Sequence, residues 1–179
     1  MGKKSVILLL SVYCLLFLAP SVHAEYVMPY PSYMPGNTMY RVSRVLDRFK
    51  FYWFWGNIAQ IKYHLALSDK YLIEAKTLME YKQFLLGADA LRRSDKEFVQ
   101  LPMYIKGAKN ERVDVSELQR LITAAADKHV KVLTDLLVST PAQFTWTPEK
   151  SAPTELPLSN MIKTSVDIRH KVARETGSL

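Results

Sequence analysis

The chain has 179 residues, 49% of them hydrophobic, with 24 basic against 17 acidic side chains and a single cysteine. That is one domain plus tails, and the net charge of +7 is too small and too dispersed to argue for a nucleic-acid partner. The one cysteine, Cys14, lies in the extreme N-terminal apolar stretch, so thiol catalysis, thiolate metal sites and disulfides are all excluded from everything that follows it.

The first 24 residues read as an export leader. Lys3 and Lys4 precede an apolar run, "VILLLSVYCLLFLAP", and then "SVHA" places Val22 and Ala24 at the −3 and −1 positions of a cleavage site. The run falls short of the ~20 residues that span a bilayer. Cleavage after Ala24 is expected, and Tyr13 is too bulky for a lipoprotein cleavage site before Cys14. The absence of cysteine beyond the leader and of any Asn-x-Ser/Thr acceptor suits a bacterial export product.

Residues 25–37 are rich in proline and tyrosine and form an extended lead-in. Asn37 or Thr38 can cap a first helix, expected over 38–55. Its residues Val42, Val45, Leu46, Phe49, Tyr52 and Trp53 fall within about a third of the circumference at ~100° per residue, the pattern of a core-facing stripe. Arg41, Arg44, Asp47 and Arg48 take the far side. Gly56-Asn57 is a stop signal.

A second helix is predicted from Ile58 to about Lys82. Ile58, Ile61, Leu65, Leu72, Ala75 and Met79 form its seam, Leu67, Tyr71 and Leu78 widen the arc, and Lys62, Asp69, Lys76 and Glu80 make a narrow wet strip. A third helix over 83–100 carries Phe84, Ala88, Leu91 and Phe98, with Asp95 interrupting the stripe at an exposed end or pairing with Arg92 or Lys96. Leu101-Pro102 should end it, leaving "MYIKGAKN" as a connector. Asp114 and Glu117 resemble a capping box opening a fourth helix that runs to Ser139. Residues 140–157 carry four prolines and read as a linker. Residues 158–174 form a short basic helix with a thin apolar face, expected to be solvated. No strand alternation is evident. The fold class is therefore all-α: an antiparallel hairpin or bundle of three or four main helices over 38–139, with Pro-rich tails.

Two stretches, "PGNTMYRVSRVLDRFKFYWFW" and "KYHLALSDKYLIEAKTLMEYKQ", resemble the exported bacterial family catalogued as domain of unknown function 5667. Pro35, Asn37 and Tyr40 match its opening segment. Leu65, Ala66, Leu72, Glu74 and Ala75 resemble the rhythm of its long helix. The resemblance spans about residues 34–100 and implies an exported helical hairpin. It implies no reaction and carries over no catalytic residue.

The residues supply no catalytic or metal-ligating constellation either. His64, His129 and His170 sit on different elements without paired spacing. His129 lies on an apolar stripe and reads as a hydrogen-bonded core or boundary histidine. Asp69, Glu74 and Glu80 read as solvated members of alternating-charge pairs. Ser139, Ser151 and Ser159 stand in or beside linkers, with no nucleophile elbow around them. No cofactor is expected.

The strongest signal is "RFKFYWFWGN". Phe49, Tyr52 and Trp53 extend the stripe, while Phe51, Phe54 and Trp55 lie on the back of the same helix end. Enclosure by the return helix and the lead-in is the expected arrangement. Interfacial membrane contact, or a groove for a peptide, glycan or lipid, are the alternatives. The functional expectation is a non-enzymatic, exported scaffold or interaction module at the periplasmic or outer face of a bacterial envelope. Its contact surface would comprise Phe51, Phe54, Trp55, Arg48 and Lys50. The partner would be another envelope protein, with an anionic membrane or polymer surface as the alternative and self-association as a further option.

Overall fold

The computed structural model describes residues 26–30, 34–35, 37–150 and 152–179, without the side chains of Arg41, Arg48 and Phe51. The expected leader, residues 1–24, lies outside the described residues. The fold is all-α. Among the described residues there are six helices, α1 (Thr38–Trp53), α2 (Asn57–Glu80), α3 (Phe84–Phe98), α4 (Leu101–Asn110), α5 (Ser116–Ser139) and α6 (Leu158–Ser178). A two-stranded antiparallel ribbon, β1 (Phe144–Trp146) and β2 (Thr154–Leu156), joins the last two, pairing Phe144 with Leu156 and Trp146 with Thr154.

The antiparallel pairs α2–α3 and α5–α6 pack on each other, and α4 lies across α2 and α6. Helix α2 is apolar on most of its circumference because it touches neighbours on several sides. Ile61, Leu65, Leu67, Tyr71, Leu72, Ala75, Leu78 and Met79 are all buried, whereas Ile58, expected in the same seam, is exposed in the first turn.

The interior has three layers along the bundle axis. One apolar half gathers Ile61, Leu65, Phe98, Ile105, Ile122 and Val172. The other gathers Leu72, Leu78, Leu91, Leu133, Leu136 and Ile162. At ~1.5–3 kcal/mol for each fully buried large aliphatic or aromatic side chain, these halves supply the main driving force. Between them, at intermediate positions of the same four helices, lies a belt of polar residues: Ser68 and Asp69, Ser94 and Asp95, His129, and Ser165 and Arg169.

Several helix ends follow local rules. Asn37 caps α1 by accepting from the Met39 N–H at 2.9 Å. Gly56, at φ 85°, makes the turn into α2 in a region that favours glycine. The ends of α2 and α4 are Schellman motifs: Gln83 N–H donates to Leu78 O and Lys82 N–H to Met79 O, and Val113 and Arg112 repeat this onto Ala108 and Lys109. The left-handed position in each is filled by a non-glycine residue, Lys82 at φ 60° and Arg112 at φ 59°.

Four sequence expectations are corrected. Pro102 does not open a connector but sits in the first turn of α4, where a missing N–H leaves no bond unmade. Buried Leu101, Ile105 and Ala108 then hold that helix down. Part of the 140–157 linker forms the ribbon, anchored by buried Leu156 and the Phe84–Phe144 ring contact. The C-terminal helix is neither short nor solvated. It runs to Ser178 and docks by Leu158, Ile162 and Val172, with Arg169 wholly buried among them. At the start of α5, Asp114 accepts from Ser116 N–H in a local turn, in place of the reciprocal box expected with Glu117.

Candidate docking face on the first helix

The stripe expected to face the core faces solvent. Val42, Val45 and Leu46 are exposed, and Phe49, Tyr52 and Trp53 are exposed by 64%, 74% and 86%. Met39 adds to the same side. Half of the aromatic run was expected to be core, and that expectation is overturned.

The physical reason is on the opposite side of α1, which meets α2 and α3 through polar groups. Tyr40 donates to Glu74 Oε1 at 2.7 Å, and Arg93 reaches both, donating to Tyr40 Oη at 3.0 Å and to Glu74 Oε1 at 3.1 Å. Lys70 donates to Ser43 Oγ at 2.9 Å and is ion-paired with Asp47. Tyr63 Oη donates to the Asp47 carbonyl at 2.7 Å. Asp47 and Glu74 are buried, and Arg93 lies over the Tyr71 ring at 4.9 Å. Such charge-assisted, desolvated bonds are stronger than those of exposed pairs. Helix α1 is thus inside-out, with its polar face clasped to the bundle and its apolar face to water.

The reading of Asp69 and Glu74 as solvated pairs is corrected by the same observations, since both are buried and bonded across helices. Lys76 and Glu80 do form an exposed pair at 2.6 Å. Asp95 pairs with Arg169 and accepts from Ser165, with neither Arg92 nor Lys96 involved.

Of the five residues singled out for contact, Trp55 is 86% exposed, and its indole N–H donates to Tyr52 O at 2.5 Å. Phe54 caps the helix and leans on the Tyr63 ring with centroids 5.5 Å apart, so it is partly covered. Lys50 is exposed at the edge of the apolar face, 3.7 Å from Asp47. The side chains of Arg48 and Phe51 lie outside the described residues. Met39, Val42, Val45, Leu46, Phe49, Tyr52 and Trp53 make up the exposed apolar face, and Trp55 is exposed just beyond the helix end. Complementary charges at Lys70 and Glu74 on the apolar α2 were the signal that polar groups of α1 turn inward.

Taking ~200 Å² for an aromatic side chain, Phe49, Tyr52 and Trp53 alone leave on the order of 450 Å² bare. The largest apolar patch on a typical monomer is ~300–600 Å², and the aliphatic residues carry this face beyond its lower half.

The polar belt has a different character. Arg169 donates from Nε to His129 Nδ1 at 3.2 Å, which assigns the proton of the neutral ring to Nε2, 2.7 Å from Asp69 Oδ1. Burial lowers the His129 pKa below the usual imidazole range, and Arg169 adds to the effect against Asp69 and Asp95. Tyr26 of the lead-in donates to the other Asp69 oxygen at 2.5 Å, and its own pKa is raised, first by burial and then by that carboxylate. A carboxylate–imidazole pair is a familiar catalytic element. Here the free imidazole nitrogen meets a guanidinium instead of a hydroxyl nucleophile, and the ring is fully buried. The belt holds four helices and the lead-in in register.

No family model, curated protein or solved structure matches the chain.

Proposed function

We propose that this protein is a non-enzymatic interaction module of the bacterial cell envelope that docks through the outward face of α1. One observation carries the reading: a helix whose polar side is bonded to the bundle while seven apolar side chains, three of them aromatic, are turned to water. The largest apolar patch of a monomer is often its functional surface, and covering such a patch contributes ~25 cal/mol per Å². The inside-out clasp holds α1 in this orientation without using the face itself. The closed polar belt supports a structural role for the buried His129 and Asp69, and the functional residues are therefore sought on the surface.

The test is site-specific photo-crosslinking in the producing cell. A photoreactive side chain at Phe49 or Trp53 should give adducts, with protein or with lipid, that are absent when the same group replaces exposed Lys131 on α5. Equal yields from the three positions would remove α1 as the docking surface.

A further inference from the structure

We infer that the surface covered by the α1 face is an anionic lipid bilayer, with the helix lying along the headgroup plane. This rests on the docking reading above and deepens it by naming the partner's chemistry.

Three observations converge. The first is charge. Asp47 is the only carboxylate in α1, and it is turned inward and held by Lys70. The outward half of the helix therefore presents no negative charge. Exposed Lys50 borders the apolar face, and the sequence of α1 sets four basic residues against that one carboxylate. An apolar face with a basic border and no carboxylate fits a negatively charged plane.

The second is the kind of apolar residue and where it stands. Tyr52, Trp53 and Trp55 crowd the C-terminal end and are solvent-exposed, with Lys50 one turn before them. Tyrosine and tryptophan favour the headgroup region, where the ring is buried and the polar edge stays wet. Valine, leucine and phenylalanine fill the middle of the face, where the acyl boundary would lie.

The third is shape. The face is the convex ridge of a helix about 24 Å long at ~1.5 Å per residue. A fluid bilayer accommodates a convex ridge directly, whereas a protein partner needs a preformed groove. No helix among the described residues is long and apolar enough to cross a membrane, so contact through α1 would be along the surface.

The chain has three tryptophans, and Trp146 stands apart in the β1–β2 ribbon. In a Trp146→Phe background, fluorescence therefore reports only on Trp53 and Trp55. The protein, purified as the producing cell delivers it, is mixed with phosphatidylethanolamine vesicles containing about one-third phosphatidylglycerol. The other arm uses pure phosphatidylcholine vesicles, and acyl chains are brominated in both. The inference expects a blue shift and quenching on the anionic vesicles, and a weaker response in high salt. Lys50→Gln should lower the partition coefficient about fivefold, the value of one cation near an anionic surface. Leu46→Ser/Phe49→Ser should lower it at least tenfold, whereas Leu86→Ser, the same kind of loss on exposed α3, should leave it unchanged. All these positions are solvent-exposed, and an unchanged circular dichroism spectrum checks folding.

No spectral response on either vesicle overturns the inference, as does an equal, salt-insensitive response on both. If crosslinks from Phe49 and Trp53 then lead to a protein, or to a second copy of this chain, α1 is a docking face with a different partner. If crosslinks fail as well, the docking reading falls with it.

Discussion

Removing the Arg169 guanidinium should cost more stability than any other single change to the polar belt. Its side chain is fully buried and stacks over the Phe98 ring at 4.8 Å. It is ion-paired with Asp95 and donates to Ser94 Oγ at 2.8 Å and to His129 Nδ1 at 3.2 Å. Arg169→Met keeps most of the apolar stem and its contact with Phe98, so the measured effect isolates the charge and its bonds. Ser94 retains Ser68, and Asp95 retains Ser165, but the acceptor of His129 and much of the Asp95 charge lose their partner. Breaking a buried pair from one side costs ~3–5 kcal/mol. For a chain of this size each kcal/mol moves Tm by ~2–4 °C, so a fall of roughly 6–20 °C is expected. Adding Asp95→Leu removes the stranded carboxylate and should restore part of the loss. The cycle formed by the wild type, both single variants and the double gives a coupling of ~1–3 kcal/mol by denaturant unfolding. A loss below ~1 kcal/mol for Arg169→Met, or a double variant no better than the worse single, would refute the claim that α6 is pinned by this ion pair.

Four further outcomes are expected. Lys82→Gly and Arg112→Gly each relieve a left-handed side-chain-bearing residue in a Schellman motif, so each should raise unfolding stability by ~0.5–1 kcal/mol, read by urea denaturation. Because burial lowers the His129 pKa, the unfolded chain takes up a proton below pH ~6.5 that the folded chain refuses; stability should fall with falling pH from there by up to ~1.4 kcal/mol per pH unit, down to the folded pKa. His129→Gln should flatten that slope in pH-dependent unfolding, and an unaltered slope would assign it elsewhere. Asp47→Ala leaves Lys70 without its carboxylate and should raise amide exchange in α1 without raising it in α5. Arg120→Ala at the exposed Glu117 pair should change stability by less than ~0.5 kcal/mol in thermal unfolding.

The sequence carried the helical class, the spans of α2, α3 and α5 to within a few residues, and the seam of α2, because dense 3–4 periodicity over long segments reports burial directly. It carried less wherever burial was polar. Asp69, Glu74, Asp95 and Arg169 look like surface charges in a one-dimensional pattern; their partners lie 19 to 75 residues away and become visible only when the helices are brought together. For the same reason α6 looked too thinly apolar to dock, although a buried arginine completes its inner face. The face of α1 was misjudged through a general rule: an apolar stripe points inward when nothing better competes for the interior. Tyr40, Ser43 and Asp47 competed successfully because α2 and α3 offer them Glu74, Arg93 and Lys70. The aromatic run stands out in the sequence, but the expectation that neighbouring elements enclose it is overturned, since Phe49, Tyr52, Trp53 and Trp55 are exposed.

The inside-out attachment of α1 also sets the sign of its coupling to whatever covers it. A helix held by apolar burial on its inner side would have to share one kind of driving force between bundle and partner. Here the two sides use different forces. A partner that displaces water from the outer face lowers the local dielectric around Lys70, Asp47, Arg93 and Glu74, and a lower dielectric strengthens bonds that are already satisfied. By reciprocity, whatever tightens the clasp must raise affinity at the outer face by the same factor. Capture by a partner and retention by the bundle would then be cooperative.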